Sequence, residues 1–118
     1  MTSNAHAGRV AQQLAMADRR DRVIEASDLT KFQTRILAIL AEEDHSGQGV
    51  KRELQPFYDT EINHGRLYPN LDIVVEAGYV EKSELDGRTN NYTLTDEGRA
   101  VLEADVEWVR KRLDGGDH

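Results

Sequence analysis

A mainly α fold with one small antiparallel β-hairpin is what this sequence of 118 residues predicts, and three observations carry the prediction. Helical spacing of apolar residues recurs over 30–43 and again over roughly 62–77. An Asp86-Gly87 pair separates two strand-like runs, a strong hairpin signal. A long helical pattern then follows Thr95. The length suits one domain with a single modest core.

In chain order, residues 9–25 (RVAQQLAMADRRDRVIE) contain no Gly or Pro, and Val10, Leu14, Ala17 and Ile24 fall near one helical face. That face is narrow and alanine-rich, which suits packing on another helix. In the second pattern Phe32, Ile36, Ile39 and Leu40 follow the i, i+4, i+7, i+8 rule behind Thr30 as N-cap. His45-Ser46-Gly47-Gln48-Gly49 reads as a turn, after which Val50, Leu54 and Phe57 mark a short helix stopped near Pro56 to Asp59. The third pattern places Leu67, Leu71, Val74 and Val75 on one face and ends at Gly78. The runs 79–85 and 90–95 flank the hairpin turn Asp86–Thr89. In the last helix Thr95 caps, Asp96 and Glu97 suit the positive end, and Arg110, Lys111 and Arg112 suit the negative end. The final DGGDH is expected to fray.

The absence of cysteine excludes disulfides and thiolate metal sites. No apolar run approaches the roughly 20 residues of a membrane span, and the first residues lack the order of a signal peptide, so a cytoplasmic location is expected. The net charge is −7, from 22 acidic and 15 basic residues. With 4 lysines against 11 arginines, this is the balance expected in a high-salt cytoplasm, where screening reduces self-repulsion. An ordinary acidic protein is the plainer account.

Two helices joined by a glycine-bearing turn, a third helix, a hairpin and a long helix make the order of a winged helix-turn-helix domain. Three stretches resemble the PadR-like transcriptional regulators: SGQGVKREL (46–54), GRLYPNLDIVVEAGYVE (65–81) and GRTNNYTLTDEGRAVL (87–102). The Leu67-Tyr68-Pro69 core with Leu71 and the Gly78-Tyr79-Val80 ending is the most specific part. With the acidic composition, the resemblance is to a haloarchaeal member of the family, for which oxidative stress is a candidate signal. It implies a DNA-binding domain over 30–95 and a C-terminal dimerisation helix with a frayed tail over 96–118, while the N-terminal extension over 1–29, with its dimer-supporting helix, lies outside the common pattern. Two departures stand out. Gln48 occupies a position where the family usually has an aromatic residue that meets phosphate, and Thr89-Asn90 replaces a common proline and basic residue in the wing.

In such folds the start of the third helix enters the major groove of double-stranded DNA, where base edges are distinguishable. The side chains available there are Asn63, His64, Arg66, Tyr68 and Asn70. Arg66 is the leading candidate for a base contact, against an ion pair with Glu61 or Asp59. Asn63 either reads or caps, His64 either reads or is solvated, and Tyr68 either meets phosphate or packs under the helix. Pro69 is unusual inside a helix. Gly65, four residues earlier, carries the carbonyl that its ring would strike and can rotate to relieve the clash. Lys31, Gln48, Lys51, Arg52 and Arg88 are supporting contacts, each with a solvated side chain as the simpler account. This basic patch is thin, diluted by Glu53, Asp59 and Glu61. Inorganic cations bridging acidic side chains to phosphate would therefore be expected, with affinity weakly dependent on salt.

The stripe Leu102, Val106, Val109 and Leu113, with Trp108 beside it, is apolar for an exposed helix, and the resemblance implies homodimerisation through it with Leu14 supporting. A two-fold dimer would read a pseudo-palindrome. An enzyme is not expected. The chain has no G-x-S-x-G, P-loop or H-E-x-x-H, and His6, His45, His64 and His118 lack metal-ligand spacing, so no cofactor is expected. The rival function is a winged-helix module that binds protein without touching DNA.

Overall fold

A computed structural model describes residues 28–115. The elements are α1 (Lys31–Glu42), β1 (His45–Ser46), α2 (Gly47–Leu54), a 3-10 turn (Gln55–Phe57), α3 (His64–Glu76), β2 (Val80–Glu84), β3 (Asn90–Leu94) and α4 (Asp96–Leu113). The expected N-terminal helix, with Leu14, and the last residues of the tail lie outside the described residues. The observed order is that of a winged helix, mostly helical with a three-stranded antiparallel sheet in the order β1-β3-β2.

Local chemistry sets each boundary. Thr30 caps α1 through a capping box: its hydroxyl accepts from Gln33 N at 3.1 Å, and Gln33 Oε1 accepts from Thr30 N at 3.0 Å. Ser46 caps α2 by accepting from Gly49 N, so this helix starts inside the stretch expected to be a turn. The residues before it form β1, which the sequence reading did not expect. His45 pairs with Tyr92, and Ser46 with Asn91. Helix α3 ends in a Schellman arrangement, with Gly78 at φ 87°, Gly78 N on Val75 O and Tyr79 N on Val74 O. In the wing turn Asp86 Oδ1 accepts from Arg88 N and Thr89 N, while Gly87 adopts φ 85°. Those two bonds hold the Asp86 carboxyl below its ordinary value.

The core joins Phe32, Ile36, Leu37 and Leu40 of α1 to Val50 and Leu54 of α2, Ile62, Leu67, Leu71 and Val74 around α3, and Val80 and Tyr92 of the sheet. Ile39 and Val75 lie at its margin, and Leu37 takes the central place expected of Ile39. Phe57, expected on the apolar face of the second helix, is instead 66% exposed. Pro56 stands in the 3-10 turn that follows α2, and this turn carries Phe57 off the α-helical stripe. Leu102, expected at a dimer interface, packs against this core from the first half of α4. Beyond it Val106, Trp108, Val109 and Leu113 are exposed.

Candidate nucleic-acid interface

The start of α3 lies beside α2 because of a glycine. The Tyr68 ring rests across Gly47, where an added Cβ would come 2.5 Å from the hydroxyl oxygen and 2.6 Å from Cε1. With no side chain at Gly47 the two helices close on the ring, and the Tyr68 hydroxyl reaches Gln48 Nε2 at 3.4 Å. Gln48 Nε2 also lies 3.4 Å from His64 Nε2, and the His64 ring meets Tyr68 edge-on with centroids 5.3 Å apart. Gln48, His64 and Tyr68 thus form one cluster across the mouth of the helix-turn-helix, with Gln48 and His64 exposed and Tyr68 half-buried.

The other polar residues of this helix start have stronger internal partners. Asn63 is the N-cap, its Oδ1 accepting from Arg66 N at 2.9 Å. Asn70 accepts from the buried Gln33 amide at 2.7 Å and donates to the Arg66 carbonyl at 2.7 Å, bracing α3 against α1. The Arg66 guanidinium lies 4.2 Å from the Phe32 ring centroid and 5.0 Å from that of Tyr58. It therefore stacks on its own domain's aromatic edge instead of pairing with Glu61 or Asp59. Glu61 is taken by Lys51 at 3.0 Å, and that ammonium lowers the carboxyl's proton affinity.

Helix α3 runs through Pro69, its sixth residue, and Gly65, whose carbonyl in the first turn faces the ring, does not adopt a left-handed conformation. An added Cβ at Gly65 would meet Asn63 Oδ1 at 3.3 Å.

Among the supporting residues, Lys31, Arg52 and Arg88 are exposed and have no ion pair among the described residues. Arg52 lines an open groove with Gln48, Lys51, Gln55, Pro56 and Glu61 beside the start of α3. Arg88 stands at the tip of the wing. The sequence reading missed the stacking partners Phe32 and Tyr58, and the alternation of arginine and aromatic residues (Phe32, Arg35, Phe57, Tyr58, Arg66) is the signal that was available for them. No cluster of three or more potential metal ligands and no helix long and apolar enough to cross a membrane occur among the described residues.

Residues 36–104 match the model of the transcriptional regulator PadR-like family. RosR of H. salinarum is 55% identical, with a TM-score of 0.71 over 75% of this chain and 80% of that one. A complex named RosR-S1 is 54% identical over the same shares, with a TM-score of 0.72. PadR of Bacillus subtilis, solved with operator DNA, shares the fold at 22% identity, a TM-score of 0.55, and 63% of this chain against 46% of that one. No curated protein matches the chain. The family match and the likeness to RosR lead to one conclusion: the chain belongs to the PadR-like family of transcriptional regulators.

Proposed function

We propose that the chain is a sequence-specific DNA-binding transcriptional regulator that acts as a homodimer on a pseudo-palindromic site. The observation that carries this reading is the exposed start of α3. There Gln48 and His64 face solvent beside Arg52 while Leu67, Leu71 and Val74 anchor the rest of the helix in the core. This is the geometry that a helix entering the major groove requires. The operator complex of B. subtilis PadR supports it at the level of the fold. The homodimer is supported by the outer part of α4, where Val106, Val109 and Leu113 are 49%, 44% and 80% exposed along one face. A regulator of genomic DNA in a prokaryotic cell is cytoplasmic. The likeness to RosR supports a haloarchaeal setting, and oxidative stress is the signal to test first.

The net charge of −7 sets the physical problem. A protein that neutralises phosphates with basic residues loses affinity steeply as salt rises, with a log–log slope of about −0.9 per phosphate neutralised. Here the free cationic side chains near α3 are few, and Glu61 lines the same groove as Arg52, while Glu53 lines a separate groove with Arg35 and Phe57. Cations held between carboxylates and phosphate would offset that repulsion and flatten the salt dependence. Fluorescence anisotropy on the chain's own upstream DNA, run from about 0.5 to 3 M KCl, tests both parts, because cation uptake at the interface opposes counterion release and flattens or even reverses the slope. Specific retention with a shallow slope is expected. A slope as steep as −5 refutes the cation bridge, and equal retention of unrelated DNA refutes sequence-specific recognition. No retention of any DNA leaves the protein-binding module as the better account.

A further inference from the structure

We propose that His64 reads a base edge in each half-site, and that Gln48, steadied by the Tyr68 hydroxyl, chooses which base by fixing the imidazole tautomer. The inference rests on the DNA-binding reading above and deepens it.

Commitment of partners is the first argument. A side chain that reads a base must give up whatever it holds in the free protein. Asn63 would surrender the helix cap, and Asn70 would leave the Gln33 amide, in a residue only 4% exposed, without its partner. Arg66 would leave two aromatic faces, and Lys51 would leave Glu61. A buried polar group left unpaired is costly, whereas an exposed one returns to water. The contacts of Gln48 and His64 are exposed and long, both at 3.4 Å, beyond the usual range for a strong N–H bond. His64 therefore meets a base at the least cost in α3's first turn, because its Nδ1 has no partner among the described residues and its Nε2 can stay on Gln48.

Hydrogen-bond polarity is the second argument. A neutral imidazole has one donor and one acceptor nitrogen, and the bond at one nitrogen decides the role of the other. Gln48 Nε2 donates to the Tyr68 hydroxyl and, with its second hydrogen, to His64 Nε2. The ring proton then sits on Nδ1, so the free nitrogen is a donor. In the major groove, donors find acceptors on guanine N7 and O6, adenine N7 and thymine O4, while cytosine N4 offers none. A carboxylate at position 48 cannot donate. It would hold a proton on Nε2, and in the neutral ring this leaves Nδ1 as an acceptor, suited to adenine N6 or cytosine N4.

Selection of bound duplexes from a randomised 20-bp pool in 2 M KCl tests this with the full chain and its His64→Ala, Gln48→Ala, Gln48→Glu and Tyr68→Phe variants. The wild-type chain is expected to favour a purine or thymine over cytosine at one position per half-site. His64→Ala should erase that preference, a loss of about 2- to 12-fold in discrimination for a single hydrogen bond, while other positions stay unchanged. Gln48→Ala and Tyr68→Phe should weaken the preference at that same position, and Gln48→Glu should move it toward adenine or cytosine. An unchanged consensus in His64→Ala overturns the proposal. An unshifted preference in Gln48→Glu overturns the tautomer part. A wild-type chain that enriches no sequence overturns the DNA-binding reading itself, an outcome distinct from the others.

Discussion

Gly98→Ala is a small substitution with opposing local and tertiary effects. Gly98 lies in the first turn of α4, a position where alanine normally gains about 1 kcal/mol over glycine. The site reverses that sign. Gly98 is buried, and an added Cβ would run into the Tyr79 carbonyl and come 2.6 Å from Leu94 Cδ1. The Tyr79 carbonyl is not free to retreat, because it accepts from Thr95 N at 3.1 Å. Thr95 in turn caps α4 at Gly98 N and donates to the Gly78 carbonyl at 2.7 Å. Overpacking against such a site costs about 1–3 kcal/mol. Weakening the Thr95–Tyr79 bond adds about 0.5–1.5 kcal/mol. After the helix-propensity gain, a net loss of about 0.5–3.5 kcal/mol remains. For a domain of this size that lowers Tm by roughly 5–20 °C. Thermal unfolding by circular dichroism at fixed KCl measures it, with Gly65→Ala as the companion variant. Gly65 is exposed and its nearest atom is Asn63 Oδ1 at 3.3 Å, so alanine there should leave Tm unchanged or raise it by a few degrees. A Gly98→Ala protein as stable as wild type would show that the α4–wing junction is not as tightly packed as described.

Arg66→Ala should lower stability by about 0.5–2 kcal/mol through loss of its stacking on Phe32 and Tyr58, and denaturant titration checks this. Burial pushes the Tyr92 phenol above its ordinary value of 10.0, so folding favours the neutral form. Its stabilising contribution is present below pH 10 and lost as pH rises through the raised value. Alkaline unfolding should accordingly shift to higher pH in Tyr92→Phe, relative to that variant's own stability at pH 8. Asp86 behaves oppositely: its carboxyl is lowered from 3.8, so its contribution to the wing turn is present above that value and lost as pH falls through the lowered one. The stability difference between wild type and Asp86→Ala should vanish in acid. Val109→Asp combined with Leu113→Asp should give a monomer by light scattering at high salt without lowering the monomer's Tm, because both side chains lie outside the core.

Much of this architecture is local and was legible from periodicity and capping. Thr30, Thr95 and Gly78 mark helix ends by hydrogen bonds that span three to five residues, and the Asp86 carboxylate closes the wing turn by accepting from Arg88 N and Thr89 N. Strand β1 was not legible, because two residues carry no period and His45–Ser46 becomes a strand through pairing with Asn91–Tyr92, far along the chain. The same distinction runs through the candidate site. Its membership (Gln48, His64, Arg66, Tyr68 and Asn70) could be read from the spacing of the third helix and its preceding turn. Their roles in the free protein could not. Arg66 stacks because Phe32 and Tyr58 arrive from other segments, Asn70 is engaged because the buried Gln33 needs a partner, and Lys51 is paired because the loop brings Glu61 back beside α2. Sequence by itself determined the four described helices and the wing hairpin, since helix caps and turns are short-range. The tertiary structure decided which polar side chains remain free to meet a ligand, since that depends on partners supplied from far along the chain.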